Sequence, residues 1–154
     1  MLVNNRFVKF KFEKLNDNLK INDNKINVLF YSETNLLISD GLSNDKSLEK
    51  FLSKNIESNS ENICMVRSEK GIFLLVKRKD QNNDLTNKYI EDLGGSIFNK
   101  TKAIGCTEVR IFENNEDFIK QIALGILLGS YKFNNYKKNK PKEIIDIKYI
   151  TFIS

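Results

Sequence analysis

The chain contains no histidine. That removes Ser-His-Asp and Cys-His catalysis and every metal site built on imidazole. It has two cysteines, Cys64 and Cys106, in unlike contexts. Two thiols without histidine do not make a structural zinc site, and they do not form a disulfide framework. They read as reduced core thiols. Tryptophan is absent and the one proline is Pro141. The N-terminal MLVNNRFVKFKF lacks the apolar run of a signal peptide. The longest apolar stretches, at 72–76 and 123–129, fall well short of the roughly 20 residues that span a bilayer. The expectation is a soluble, cytoplasmic chain with no membrane partner. Neither GxxxxGK[ST] nor GxGxxG occurs, so no familiar phosphate cradle is present.

What the chain does have suits one domain, or one domain and a short linker. Its 154 residues are 40% hydrophobic and 29% charged, the composition of a folded chain. Lys+Arg number 25 against 20 Asp+Glu, a formal charge of +5. Spread over this length, that charge does not by itself imply nucleic acid.

Alternation supplies the strands. In residues 6–12, Val8, Phe10 and Phe12 share one face and Lys9 and Lys11 the other, a half-exposed strand. Residues 26–31 form a second β-rich run, and a polar stretch with a turn at Ser39-Asp40-Gly41 follows. Ser47 would cap a short helix carrying Leu48, Phe51 and Leu52. Residues 63–67 and 72–77 pair as a hairpin around Ser68-Glu69-Lys70-Gly71. A helix over 85–100 follows from Leu85, Tyr89, Leu93 and Ile97, widened by Ile90 and Phe98. Gly94-Gly95 inside it either breaks the helix or lets it approach a strand closely. Residues 107–112 form another strand, and Asn114-Asn115 caps what comes next.

The strongest helix runs from Glu116 to about Lys138. Its apolar face is read as Phe118 or Ile119, then Ile122, Ala123, Ile126, Leu127 and Tyr131. Residues 143–153 are a strand, or a linker that becomes ordered. Strands alternating with helices imply a three-layer α/β domain.

Candidate chemistry is sparse. Gly125, Gly129 and Ser130 lie too deep in a helix to cradle phosphate, and close helix packing is the simpler reading. The adjacent pairs Glu91-Asp92 and Glu116-Asp117 diverge on a helix. No carboxylate set suggests a two-metal site. Ser96 and Ser130 lack a base, and Cys106 is a weak candidate thiol. The basic tail offers Lys132, Lys137, Lys138, Lys140 and Lys142 interleaved with Tyr131, Phe133 and Tyr136. Lysines among aromatics are a plausible nucleic-acid contact, although a helix C-terminus and a solvated linker explain them as well.

The segment ALGILLGSYKFNNYKKNKPKE, residues 123–143, resembles the helix that closes the N-terminal domain of the leucyl (cytosol) aminopeptidase family. That run is of the type G-x-x-L-G-S-Y-R-F, followed by Tyr-Lys and a lysine-rich linker. Gly125, Leu128, Gly129, Ser130, Tyr131, Phe133, Tyr136 and Lys137 stand in the matching places, and Lys132 replaces the usual Arg. Residues 72–100 are similar to the family's strand–loop–helix. Where the family often ends that strand Val-Gly-Leu-Gly, this chain has Val76-Lys77-Arg78-Lys79.

The resemblance implies an α/β, macro-domain-like fold, with a mixed sheet flanked by helices. It implies an N-terminal domain over 1–138. Residues 139–154 would be a linker or strand leading to a catalytic domain absent from this chain, with Met1 the natural start and Ser154 an imposed boundary. It implies a parent metallo-aminopeptidase, a hexamer, with two divalent metals (zinc, manganese or magnesium) in its catalytic domain. The signature of that domain, of the type NTDAEGRL, is missing here, so no catalytic residue, cofactor or metal ligand falls on this segment. Gly125, Gly129, Ser130, Tyr131, Phe133 and Tyr136 would serve packing. The implied role is oligomer packing or control of substrate access. Two alternatives remain open: a nucleic-acid-binding module, with DNA a possible partner, using Lys132, Lys137, Lys138 and Lys140, and a stand-alone macro-like domain that binds a nucleotide or ADP-ribose.

Overall fold

The computed structural model describes residues 8–14, 25–32, 35–36, 46–58, 61–78, 87–137 and 147–153, with the backbone alone at 35–36 and 132–137. The strands are Lys9–Glu13 (β1), Lys25–Ser32 (β2), Asn35–Leu36 (β3), Ile63–Ser68 (β4), Gly71–Lys77 (β5), Glu108–Phe112 (β6) and Tyr149–Ile153 (β7). The helices are Lys46–Ser58 (α1), Asn87–Ile104 (α2) and Glu116–Lys137 (α3).

All seven strands join one mixed sheet in the order β1-β7-β6-β2-β5-β4, with β3 paired antiparallel to the end of β2. From β1 to β5 neighbours run parallel, and β4 closes the sheet as the antiparallel arm of a hairpin. Parallel strands are covered on both faces, which explains why β2 and β5 are nearly continuous apolar runs rather than alternating ones. On one face Ile26, Val28, Phe30, Ile72, Leu74 and Val76 meet α2 and α3 in a single core. On the other, Leu29, Tyr31, Phe73 and Leu75 meet Leu48, Leu52 and Ile56 of α1. The result is the three-layer α/β architecture that the alternation of elements implies.

Of the two readings of the last segment, strand or linker, residues 149–153 take the strand: β7 lies between β1 and β6 and pairs with both, in the same sheet as the strands before residue 138. Two expectations change. On α1, Phe51 is half-exposed and Ile56 fills the core instead, because Leu48, Leu52 and Ile56 form an i, i+4, i+8 line. On α3 the buried face is Phe118, Ile119, Ile122 and Ile126, whereas Leu127 and Tyr131 point outward. Leu85, the Ser39–Gly41 turn and most of the lysine-rich tail lie outside the described residues.

One buried ion pair ties the layers together at the carboxyl ends of the central strands. Arg78, just past β5, is 4% exposed and donates through Nη1 to Oε2 of Glu113, just past β6. Its backbone N–H donates to the Tyr31 carbonyl of β2 at 2.8 Å. The guanidinium lies 3.8 Å from the centroid of the Phe118 ring, and that ring meets Phe30 edge-on. Glu113 Oε1 accepts from the amides of Asn114 and Asn115 at 2.9 and 3.3 Å. Asn115 Oδ1 in turn accepts from the Phe118 amide at 3.0 Å, the N-cap of α3. Removing one partner strands a buried charge. Glu113→Ala is expected to lower unfolding stability by about 3–5 kcal/mol in urea. The joint change Arg78→Met with Glu113→Leu is expected to lower it much less.

Candidate functional site

The signature segment of α3 sits where that helix crosses α2. The two backbones touch there. A Cβ built on Gly94 would fall 2.4 Å from the Ile122 carbonyl oxygen, and one on Gly125 would fall 1.9 Å from the Glu91 carbonyl oxygen. Neither obstacle is a flexible side-chain end, so the helices pack this closely only with glycine at both positions. Gly94-Gly95 neither breaks α2 nor serves a strand: Gly94 admits α3. Gly95 and Gly129 are looser, the nearest atoms to an added Cβ being 3.7 Å and 3.4 Å away. Beyond the crossing, Thr101 Oγ1 donates back to the Ile97 carbonyl at 2.9 Å. Gly105, at φ 88°, then ends α2 in a left-handed conformation open to glycine.

The crossing leaves an open groove of about 510 Å³, with Gly95, Ser96 and Asn99 on one wall and Gly125, Leu128 and Gly129 on the other. Its charged rim is largely self-satisfied. Lys88 pairs with Asp92 at 3.0 Å, and that hydrogen bond raises the lysine's pKa. Lys102 lies over the Phe98 ring, and burial lowers its pKa.

The residues singled out by sequence separate on this frame. Gly125 and Ser130 are buried, Gly129 is half-buried and Tyr131 is 54% exposed. Lys132, Phe133, Tyr136 and Lys137 continue α3, with side chains outside the described residues, and Lys138 and Lys140 lie wholly outside them. Cys64 and Cys106 are half-buried free thiols. Burial raises both pKa values, helped at Cys64 by Glu61 and opposed at Cys106 by Arg67. Among the described residues no three Cys, Asp or Glu side chains group as metal ligands. No helix there is long and apolar enough to cross a membrane.

Two features were not read from the sequence. Open α/β sheets bind ligands outside the carboxyl ends of their strands, and here that end carries the Arg78–Glu113 pair beside a groove of about 440 Å³ lined by Lys77, Arg78 and Tyr89. The available signal was charge directly after each of two apolar strands, the run Lys77-Arg78-Lys79 in one case and Glu113 in the other. The other missed feature is an outward apolar stripe on α3.

Residues 78–140 match the model of the cytosol aminopeptidase family, N-terminal domain. A mutant of tomato leucine aminopeptidase shares the fold at 13% identity and a TM-score of 0.64, over 96% of this chain and 33% of that one. The macrodomain of Thermus aquaticus DarG does so at 8% identity and 0.57, over 95% and 98%. A Bacteroides thetaiotaomicron protein does so at 11% identity and 0.58, over 95% and 100%. No curated protein matches the chain. The fold is therefore that of a macro-like α/β domain. Over residues 78–140 the chain is similar in sequence to the N-terminal domain of the cytosol aminopeptidase family. It spans 33% of the tomato enzyme's length.

The glycines give paired predictions of opposite sign. Gly94→Ala and Gly125→Ala are each expected to destabilise the domain by about 2 kcal/mol or more, because backbone must move. Gly95→Ala and Gly129→Ala are expected to be neutral or stabilising by up to about 1 kcal/mol, since helix propensity is regained without a clash. Thermal melts of the four variants check this.

Proposed function

We propose that this chain is the non-catalytic N-terminal domain of a metal-dependent leucyl aminopeptidase, an enzyme that removes N-terminal residues from peptides. The supporting observation is the Gly125–Lys137 signature, which lies within the family-matched segment and on the helix that crosses α2 at Gly94 and Gly125. The chemistry belongs to a separate catalytic domain. There two divalent metals, manganese or zinc, would activate water and polarise the scissile carbonyl. The described residues contribute no ligand to that centre. Their work is mechanical. The sheet and the α2–α3 pair form a rigid body that packs in a hexamer or guards the path of peptides to the active centre. We place the whole enzyme in the cytoplasm.

The 154-residue chain supplied with Mn²⁺ or Zn²⁺ is expected to release no leucine from leucyl peptides. A parent carrying the catalytic domain is expected to do so. Deleting the N-terminal domain from that parent should alter its assembly or its preference for peptide size, with metal binding retained. Metal-dependent turnover by the 154-residue chain would overturn the reading.

A further inference from the structure

Among the described residues the sheet ends on β1 at one edge and on β4 at the other, and the two edges differ in kind. β1 carries Lys9, Lys11 and Glu13, three charges in five residues. Charged side chains of this kind discourage pairing with a further strand. β4, by contrast, is ICMVRS, and it runs beside β5 in unbroken register without a proline. The Lys77 amide donates to the Asn62 carbonyl at 2.8 Å, so residues 62 and 77 form a hydrogen-bonded pair. Bonded pairs alternate along an antiparallel ladder. With Cys64 opposite Leu75 and Val66 opposite Phe73, it is the even-numbered residues of β4 that bond to β5. The N–H and C=O groups of Ile63, Met65 and Arg67 therefore point away from it. Met65 is 44% exposed, and Glu61 and Arg67 are exposed as well.

We propose that β4 pairs antiparallel with β4 of a second copy of the chain, continuing the sheet across a two-fold axis at Cys64. The occupant follows from the order of the side chains. Glu61-x-Ile63-x-Met65-x-Arg67 is its own complement when reversed. About an axis at Cys64, Arg67 meets the partner's Glu61 and Met65 meets the partner's Ile63, and symmetry repeats each contact. Ile63, Met65 and Arg67 are also the residues whose backbone groups face outward, so ladder and side chains agree on one register. An axis at Met65 would bring Glu69 toward the partner's Glu61, like charge against like. An axis at Ile63 would set Glu61 against the partner's Met65. β1 has no such solution: pairing Lys9 with the partner's Glu13 sets Lys11 against the partner's Lys11. The β4 contact is isologous and closes as a dimer. Cys64 falls in a non-hydrogen-bonded pair with the partner's Cys64, where Cα atoms lie about 4.5 Å apart, a separation a disulfide can span. Seven residues per copy are few against the roughly 20–30 per side of a standard interface, so the dimer is weak and follows concentration. This gives the packing role proposed above a surface, yet it rests on β4 and not on the peptidase reading. Its test involves no peptidase activity, so either idea can fail alone.

Analytical ultracentrifugation of the 154-residue chain in reducing buffer is expected to show a monomer–dimer equilibrium. Met65→Pro is expected to leave only monomer, with an unchanged circular dichroism spectrum. It removes an outward N–H, and an edge strand tolerates proline where that N–H faces solvent. Glu61→Arg alone and Arg67→Glu alone should each raise the dissociation constant about tenfold or more, since each sets like charges opposite one another at both ends of the ladder. The two changes combined should restore it to within about threefold of the original, because the exchanged pairs are again complementary. In a Cys106→Ser background, diamide is expected to link the dimer. Cys64 and the partner's Cys64 each give up a hydrogen, diamide is reduced to its hydrazine, and one S–S bond forms. A chain that is monomeric at every concentration would overturn the proposal. So would a dimer indifferent to Met65→Pro, a charge exchange that fails to restore association, or a dimer that diamide fails to link through Cys64.

Discussion

The contact between α2 and α3 constrains everything on one side of the sheet. A Cβ at Gly125 would lie 1.9 Å from a backbone oxygen of α2, and one at Gly94 would lie 2.4 Å from a backbone oxygen of α3. Two helices that meet backbone to backbone have one separation and little latitude in crossing angle. That geometry decides which residues reach the sheet. From α2 these are Ile90, Leu93, Ile97 and Phe98, and from α3 they are Phe118, Ile122 and Ile126. It also decides what α3 leaves outside. A helix pressed this far into its neighbour turns Leu124, Leu127 and Leu128 away from the core. The facing glycines Gly94 on α2 and Gly125 on α3 thus act first as a packing device.

The second constraint is the junction where three strands end. Arg78, Glu113 and Phe118 come from the ends of β5 and β6 and the start of α3, and the Arg78 amide reaches Tyr31 on β2. A buried ion pair of this kind is not in itself a large source of stability, because desolvation offsets the attraction. Its effect is registration. It fixes where α3 begins relative to the sheet, and that placement in turn sets where α3 crosses α2. The same pair occupies the end of the sheet at which open α/β folds take up ligands. The departure of Val76-Lys77-Arg78-Lys79 from the glycine-rich ending is thereby given a structural use.

Local pattern carried much of this fold. Period 3.6 placed Ile90, Leu93 and Ile97 on the buried face of α2, and the Ser68–Gly71 turn announced the β4–β5 hairpin, because both signals reside within a few neighbouring residues. What local pattern could not provide was long-range pairing. Nothing near Tyr149 says that the last strand inserts between β1 and β6, and nothing near Arg78 names a partner 35 residues away. Periodicity also fails where a helix has two apolar faces: Leu127 and Tyr131 fit the stripe by spacing but belong to the outer side. Gly94-Gly95 was legible as a close approach, though only the assembled structure identifies the partner as a helix. The family signature was readable because it lies within one segment of α3. Its packing role depended on α2, which the segment does not contain.

If the glycine crossing is the constraint on which this layer depends, α2 and α3 cannot open independently of the sheet. Native-state amide hydrogen exchange tests that directly. The amides from Leu93 to Phe98 and from Ile122 to Ile126 are predicted to exchange only through the global unfolding that also exposes β2 and β5, with one common free energy and one common denaturant dependence. Exchange of either helix through a smaller, separate opening, while the central strands remain protected, would contradict the account.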